Sequence, residues 1–370
     1  MAGNFNKEQI KRIIKETVNQ KWLQMQTKDD LLALLNMVLK LLFGENEKDF
    51  EIKHLDNAAS DKTSRYISFQ IPKKKHGEFR NIDAPKSKLK KIQRCLNYIF
   101  QQIYTPTESA IGFIPNRSIV DGAKVHLSQK YVYNIDLKDF FPSISSGRLY
   151  MRLQSKPFEL TPQMASFVTN LCCYKNSEDK YVLPQGAPTS PIITNFICER
   201  LDYKLCKLAT AYGLKYTRYA DDITFSGMKN VFSEDGRFCK SLRNIIENEE
   251  HFTINTKKTR LYHIGIRQEV TGLTVNKKVN VSHKYIKQLR AMINNLEKKG
   301  YEEAQCIFQK NYIPTKHANA THHIENVIRG KLDFLKMIKG YNDTTYLKLK
   351  ERFERILPNL EITKEEAGEI

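Results

Sequence analysis

The first fifty residues carry hydrophobic side chains at helical spacing. Leucine and valine recur three and four residues apart between Leu31 and Leu42, which predicts a helix that packs one face against a core. From Tyr66 to Ile71 the pattern changes to strict alternation, and a lysine-rich turn and a short return strand at 79–82 follow. This change of period predicts a basic β-hairpin after a helical N-terminal region.

Two other strand-like segments run into acidic residues. One, at 131–137, carries Asp136, and the other, at 215–219, leads into Asp221 and Asp222. A return strand follows at once, so the second segment is predicted to be a hairpin with two carboxylates at its tip. Taken alone, an Asp-Asp pair at a turn is usually turn chemistry, and Asp136 could cap a helix. The local pattern leaves both readings open.

A stiff loop at 184–191 lies between these two strands. It contains three prolines, and a helical pattern begins at Pro191, where proline is tolerated in the first turn. A plain connector is the alternative reading of the loop. Past about residue 276 the sequence becomes helical and basic again. The pattern therefore predicts helices at both ends of the chain and strands between them.

The composition indicates a globular protein with an anionic partner. The 370 residues include 60 Lys and Arg against 41 Asp and Glu, a formal net charge of +19. A surface this basic suits a polyanion, with nucleic acid as the first candidate, although a soluble protein that is merely basic is the alternative. The length allows two or three packed units.

The cysteines and the hydropathy bear on the compartment. The seven cysteines are odd in number and form no C-x-x-C pair, so neither a disulfide framework nor a zinc site is predicted. We therefore expect a reducing, cytoplasmic setting. The longest apolar run, at 31–43, is interrupted and too short for a bilayer, and no signal-peptide pattern is found at the N-terminus. We expect no membrane association.

If the three acids lie close together in the folded protein, they could form a binding site for divalent metal ions. Polynucleotide synthesis uses two divalent ions, one activating the attacking hydroxyl and one neutralising the triphosphate. Mg²⁺ prefers hard oxygen ligands and keeps several waters, so two or three carboxylates are enough. Asp136, Asp221 and Asp222 could supply them. The order of the acids, the proline-rich loop and the upstream basic hairpin is hard to explain as coincidence.

In that order the segments resemble those of a reverse transcriptase. The loop at 184–191 resembles the PQGxPxSP loop of that family, the box at 219–222 its YxDD box, the segment 134–141 its first catalytic strand, and the segment 71–80 its fingers hairpin. The resemblance covers roughly residues 60–340. It implies an α+β, right-hand polymerase with fingers, a palm built on an antiparallel sheet, and a helical thumb.

The same resemblance implies a division of the chain into four segments. It also implies that the thumb is basic and helical. The segments are a helical N-terminal region at 1–60, fingers with the basic hairpin at 61–130, a catalytic palm with finger insertions at 131–275, and a helical thumb with a C-terminal tail at 276–370.

The resemblance also assigns the metal and phosphate ligands. Asp136, Asp221 and Asp222 are implied to be catalytic carboxylates that hold two Mg²⁺ ions, with Mn²⁺ as a substitute. Arg80 and a lysine of the hairpin, taken as Lys73 although its two neighbours are alternatives, would grip the triphosphate. Arginine offers a planar fork for phosphate oxygens, whereas lysine acts as a point charge.

Four further residues are implied to line the nucleotide site. Phe141 falls at the sugar gate, where a ring would collide with a ribose 2′-OH and favour deoxynucleotides; a core aromatic is the alternative. Gln185 and Gly186 would lie along the nascent base pair, because a residue without a Cβ lets backbone approach a ligand closely. Lys258, in a segment resembling Asn-x-x-Lys-Thr, would contact the leaving pyrophosphate.

Two short motifs resemble those of bacterial retron reverse transcriptases. Val270, Thr271 and Gly272 match the VTG motif. In the second motif, NAxxH, Ala123 and His126 keep their register, whereas a glycine replaces the asparagine. The resemblance to the retron enzymes is therefore incomplete at one position.

A retron enzyme would imply a dedicated structured non-coding RNA as template and primer, in the bacterial cytoplasm. Synthesis from dNTPs would start at the 2′-OH of an internal guanosine and give branched RNA–DNA, or msDNA. A toxic effector protein encoded nearby and a role in anti-phage defence would follow. The alternatives are another bacterial defence-associated or group II intron-like reverse transcriptase, and an inactive polymerase fold kept as an RNA-binding scaffold.

Overall fold

The chain folds into two compact units. The structure is a computed structural model and describes residues 6–60, 65–72, 78–312 and 322–366. The predicted division into N-terminal region, fingers, palm and thumb remains a prediction. The first unit consists of Met1–Ser118, Tyr133–Phe225 and Asn230–Arg260, and the second of Ile119–Val132, Ser226–Lys229 and Leu261–Ile370.

Helices occupy both ends of the described chain and alternate with short strands between them. The helices are α1 (Lys7–Leu23), α2 (Lys28–Phe43), α3 (Ile52–Ala59), α4 (Ser87–Ile103), α5 (Ile119–Val125), α6 (Ser146–Leu153), α7 (Pro162–Cys172), α8 (Ser190–Ile197), α9 (Glu199–Ala211), α10 (Arg237–Arg243), α11 (His283–Tyr312), α12 (Ile324–Lys339) and α13 (Thr344–Glu366). The strands are β1 (Tyr66–Pro72), β2 (Phe79–Pro85), β3 (Tyr131–Lys138), β4 (Tyr174–Lys175), β5 (Tyr181–Val182), β6 (Lys215–Tyr219), β7 (Asp222–Gly227), β8 (Thr253–Ile254), β9 (Arg260–His263), β10 (Glu269–Val270) and β11 (Leu273–Thr274).

α2 confirms the helix predicted from the leucine spacing. Thr27 and Asp30 form a capping box at its start, in which each side chain accepts the backbone N–H of the other residue. Gly44, with a φ of 94°, follows its last turn. The buried leucines of α2 belong to the core of the first unit, where the indole N–H of Trp22 donates to the carbonyl of Phe158 at 2.9 Å.

β1 and β2 form the predicted antiparallel hairpin, with Tyr66 opposite Pro85. The turn between them, which includes Lys73, lies outside the described residues. Asp83 on β2 accepts a hydrogen bond of 2.6 Å from the hydroxyl of Tyr174 on β4. The hairpin is thereby tied to the segment that precedes the proline-rich loop.

A five-stranded sheet in the described residues carries the three acids. Its order is β6-β7-β3-β8, with β9 paired to β3 off this path. β3 and β8 are antiparallel, with Leu137 opposite Ile254. The amide of Leu137 also donates to the carbonyl of Asp221 at 3.0 Å, so the end of β3 meets the turn between β6 and β7. Helices and antiparallel sheets together confirm the predicted α+β class.

A buried ion pair anchors this turn. Arg218 on β6 and Asp202 on α9 have side chains 0% and 1% exposed, and two guanidinium nitrogens donate to the two carboxylate oxygens at 2.7 Å each. The hydroxyl of Tyr216 donates to the same carboxylate at 2.7 Å. A third guanidinium nitrogen donates to the carbonyl of Ala220 at 3.2 Å. The strand before the acids is therefore fixed from the interior of the first unit.

The second unit has a core of its own. Val120 of α5, Val270 of β10 and Leu289 of α11 are buried in one cluster with residues of α12 and α13. The helices α11 to α13 confirm the predicted helical C-terminal region. Along the part of the chain that the structure describes, no helix is both long enough and apolar enough to cross a membrane.

Replacing Arg218 by methionine tests the anchor. The variant leaves the Asp202 carboxylate in the interior without its cation, so we expect the free energy of unfolding to fall by about 3–5 kcal/mol. Chemical denaturation measures the change. Arg12→Met is the matched control, because Arg12 pairs with Glu16 on the surface, and it should leave the unfolding midpoint unchanged. Equal midpoints for the two variants would contradict the anchoring role.

Candidate active site

Asp136 lies near the end of β3 and is held on both carboxylate oxygens. The side-chain amide of Asn255 donates to one oxygen at 2.9 Å, and the ammonium of Lys258 donates to the other at 2.7 Å. The backbone N–H of Asn255 also donates to the carbonyl of Asp136 at 2.8 Å. The segment that resembles Asn-x-x-Lys-Thr thus closes over Asp136, which is 8% exposed.

Asp221 and Asp222 lie at the turn between β6 and β7, as the hairpin pattern predicts. Ala220 has a φ of 55°, in the left-handed region that residues with a side chain rarely adopt. Gly112 packs directly against this turn, since a Cβ on it would lie 2.9 Å from the amide nitrogen of Ala220. A glycine at 112 is therefore required by the close approach of two backbones.

Desolvation and the charges of neighbouring acids both raise the pKa values of Asp221 and Asp222. Loss of water by burial is the first cause of the raised pKa of Asp221, and the charge of Asp136 adds to it. For Asp222 the same causes, first desolvation and then the charges of Asp221 and Asp136, raise the pKa to about 7. A site that holds these acids ionised at neutral pH therefore needs positive charge.

Lys258 supplies part of that charge. Burial by itself lowers the pKa of Lys258, but the hydrogen bond to Asp136 and the charges of Asp136, Asp221 and Asp222 outweigh it, and the pKa is raised. Arg80 on β2 is exposed and acts on the same site, because its charge is among the causes that lower the pKa of Asp221. The positive charge of Arg80, on strand β2 of the hairpin, therefore stabilises the ionised form of Asp221.

The donor set suits a hard divalent cation in its chemistry. The three carboxylates offer the oxygen ligands that Mg²⁺ prefers. Their present placement is not a finished ligand set, since no group of three or more His, Cys, Asp or Glu side chains among the described residues is arranged to hold a metal ion. Lys258 and Asn255 engage the oxygens of Asp136.

The proline-rich loop packs against the hairpin. The carbonyl of Gln185 accepts the N–H of Asp83 on β2 at 2.9 Å. Gly186 has a φ of 131°, and a Cβ on it would lie 2.9 Å from the side chain of Ile82. In the structure, Gly186 therefore lies close against β2. Contact of Gln185 and Gly186 with a base pair remains a prediction.

The two adjacent phenylalanines after β3 differ in environment. Phe140 is 4% exposed and packs on Phe252, with ring centroids 5.6 Å apart. Phe141 is half-buried, 5.6 Å from Phe140 and 6.4 Å from Phe113. Phe140 is therefore the core aromatic of the pair, and Phe141 is the one with a face toward solvent. Its role as a sugar gate remains a prediction.

The two retron-like motifs lie together in the second unit. Ala123 of α5 and Val270 of β10 are buried in its core. Thr271, with a φ of 47°, and Gly272, with a φ of 84°, form the turn between β10 and β11. His126 is fully buried, and its Nδ1 lies 2.7 Å from the hydroxyl of Ser226 at the end of β7. These residues are part of the packed interior or of a tight turn.

Sequence reasoning assigned no role to several residues that shape the site. Asn255 stands in the motif that predicted Lys258, so its contact with Asp136 had a local signal. Asp202 had none, because a single acid on an amphipathic helix has the pattern of a solvated residue. Gly112 and Phe113 lie in a loop, where no periodic pattern indicates what a residue contacts.

Comparisons with known proteins agree with the geometry. The sequence profile of the family described as reverse transcriptase (RNA-dependent DNA polymerase) matches residues 71–322. The retron Mx65 reverse transcriptase of Myxococcus xanthus is 36% identical over 245 residues, covering 63% of this chain and 56% of that protein. The retron Ec86 reverse transcriptase of Escherichia coli is 35% identical over 240 residues, covering 63% of this chain and 70% of that protein.

Solved structures are more distant. A telomerase from Candida albicans in complex with a fragment of telomeric RNA aligns over 79% of this chain and 63% of its own, at 11% identity and a TM-score of 0.40. The chain spans just over half the length of the Myxococcus xanthus relative. The profile nevertheless covers more than half of the chain and includes all three acids, the proline-rich loop and Lys258. The chain therefore belongs to the reverse transcriptase family of right-hand polymerases, among the bacterial retron reverse transcriptases.

Proposed function

We propose that this protein is an RNA-directed DNA polymerase of a retron, working by two-metal phosphoryl transfer. The observation that carries the proposal is the meeting of Asp136, near the end of β3, with the Asp221-Asp222 turn, beside Lys258. Three mutually repelling acids cost a protein stability, and an RNA-binding scaffold has no use for that cost. A polymerase does have a use for the three acids, because they bind the divalent cations that the reaction requires.

Asp136, Asp221 and Asp222 would hold Mg²⁺, with Mn²⁺ as a substitute. When bound, the ions would supply charge neutralisation for the triphosphate and lower the pKa of the attacking hydroxyl. The rigid turn fixes where the acids stand, since Arg218 holds the carbonyl of Ala220. Catalysis of this kind depends on positioning, so a turn anchored in the interior suits it.

The basic side chains would bind the substrate phosphates. Arg80 lies on the hairpin strand and offers a planar fork of donors, and a lysine of the adjoining turn would add a point charge. Lys258 pairs with Asp136 at 2.7 Å. Its side chain is about half-exposed, so the ammonium would exchange this partner for the leaving pyrophosphate without crossing the protein interior.

The substrates and partners of the proposed enzyme follow its retron relatives. We infer that it uses dNTPs and copies a structured non-coding RNA from an internal guanosine 2′-OH into branched RNA–DNA. The net charge of +19 favours such a polyanionic partner. An effector protein encoded nearby, a role in anti-phage defence and a bacterial cytoplasmic location belong to the same proposal.

Substituting both acids of the turn tests the chemistry. We expect Asp221→Asn with Asp222→Asn to reduce extension of an RNA template by about 10³-fold or more, because several kcal/mol of charge stabilisation are lost. Primer extension with dNTPs and Mg²⁺ measures the rate, and a filter-binding assay should show RNA binding within about two-fold of wild type. Glu178→Gln with Asp179→Asn, two exposed acids of another turn, is the control pair. Full activity of the first double variant would refute the two-metal proposal.

Sequencing the nucleic acid that co-purifies with the protein tests the retron proposal. We expect one RNA species to dominate, joined to DNA through a 2′ position, because the product stays linked to its template. Treatment with a debranching enzyme should release the DNA. The Asp221→Asn, Asp222→Asn variant should retain the RNA without the DNA. A mixture of unrelated RNAs would favour a different bacterial reverse transcriptase.

Stability in the absence of metal tests the raised pKa of Asp222. The pKa of Asp222 is raised to about 7 in the folded protein, above the unfolded value of about 3.9. The folded state thus binds a proton that the unfolded state has lost, and Asp222 makes wild type less stable as pH rises through that window. Relative to wild type in EDTA, Asp222→Asn should melt at the same temperature near pH 4 and at a higher temperature at pH 8.

Asp343→Asn is the control for that experiment, and its stability relative to wild type should change with pH in the opposite direction. Hydrogen bonds from Tyr346 and Lys339 outweigh the effect of burial and lower the pKa of Asp343. Asp343→Asn should therefore melt below wild type at pH 8, and the difference should shrink in acid. Adding Mg²⁺ should stabilise wild type more than Asp222→Asn. An Asp222→Asn difference that does not vary with pH would contradict the raised pKa of Asp222.

A further inference from the structure

Phe113 has an unusual backbone for a large side chain. It lies in the loop between α4 and α5 and has a φ of 64°, in the left-handed region. A bulky residue there is an outlier that persists only when the surroundings hold it, and such outliers gather at functional sites. The ring of Phe113 is also 37% exposed, so burial in a core does not explain it.

The loop that carries Phe113 is held from several directions. The amide of Asn195 donates to the carbonyl of Gly112 at 2.9 Å, and Gly112 itself packs against the amide of Ala220. The guanidinium of Arg117 donates to the carbonyl of Thr107 at 3.1 Å. These contacts leave the backbone at 113 little freedom, so the position of the ring is determined by the fold.

The ring lies between two residues of the site. Its centroid is 6.0 Å from that of Tyr219, which precedes the acidic turn, and 6.4 Å from that of Phe141. Phe141 also packs on Phe140, which belongs to the core, with ring centroids 5.6 Å apart. Phe113 therefore limits the orientations open to Phe141 on its less buried side.

We propose that Phe113 is a positioning residue that determines sugar specificity. Its ring supports Phe141 in the orientation that excludes the ribose 2′-OH, so that 2′-deoxynucleoside triphosphates are preferred. The inference rests on the proposed function, because it requires Phe141 to meet the sugar of the incoming nucleotide. It goes beyond that function by assigning a second residue, remote from the sugar, that acts through the first.

The experiment measures the ratio of kcat/KM for a dNTP to that for the matching rNTP. Phe141→Ala should lower the ratio the most. Phe113→Ala should lower it by about ten-fold, a coupling typical of contacting side chains. Phe113→Tyr should restore the wild-type ratio, and Phe113→Ala combined with Phe141→Ala should match Phe141→Ala alone. The exposed aromatic Tyr203, changed to alanine, is the control and should leave the ratio unchanged.

The outcomes separate the inference from the proposal beneath it. If Phe141→Ala leaves the ratio unchanged, the gate role of Phe141 fails, and the role of Phe113 fails with it. If Phe141→Ala lowers the ratio and Phe113→Ala does not, only the inference is overturned. Equal losses with dNTP and rNTP in Phe113→Ala would show a structural role and also overturn it. If the alanine variant does not fold, Phe113→Leu, which keeps an apolar side chain, provides the same comparison.

Discussion

The turn between β6 and β7 depends on one buried interaction, the ion pair of Arg218 with Asp202. A guanidinium and a carboxylate taken out of water are costly unless their remaining donors and acceptors are satisfied. Here Tyr216 donates to the carboxylate, and the guanidinium also donates to the carbonyl of Ala220. The ion pair is therefore held in one orientation, and its hydrogen bond to Ala220 fixes the backbone of the turn. The positions of Asp221 and Asp222 relative to their neighbours therefore depend on this ion pair.

A turn held in one conformation keeps the carboxylates of Asp221 and Asp222 close together, so their repulsion cannot relax. Because the turn holds the acids together, desolvation first and their mutual repulsion second raise the pKa values of Asp221 and Asp222. Lys258 meets part of the demand for positive charge through Asp136. The same demand is what gives a site affinity for divalent cations and for the triphosphate that accompanies them.

The sequence predicted those features that depend on local pattern. The helix α2, the hairpin of β1 and β2, and the acidic turn follow from periodicity, and the family resemblance joined the acids into one site. The contact between Asp136 and Lys258 spans 122 residues, and no local pattern reports such a pair. The left-handed backbone of Phe113 could not be predicted either, since it is imposed by contacts with the acidic turn. Local pattern therefore predicted the elements that carry the acids, and did not predict the long-range contacts that hold them in place.

The glycine at position 122 is a second case in which the fold, and not the motif, shows the surroundings of a residue. The asparagine of the NAxxH motif would stand here on α5, yet residue 122 is buried. A buried amide must find hydrogen-bond partners or cost free energy, whereas glycine requires none. The neighbours Ala123 and His126 keep their places, with Ala123 in the core and His126 beside Ser226. The departure from the motif therefore lies on a helix of the second unit, while the carboxylates and Lys258 belong to the first.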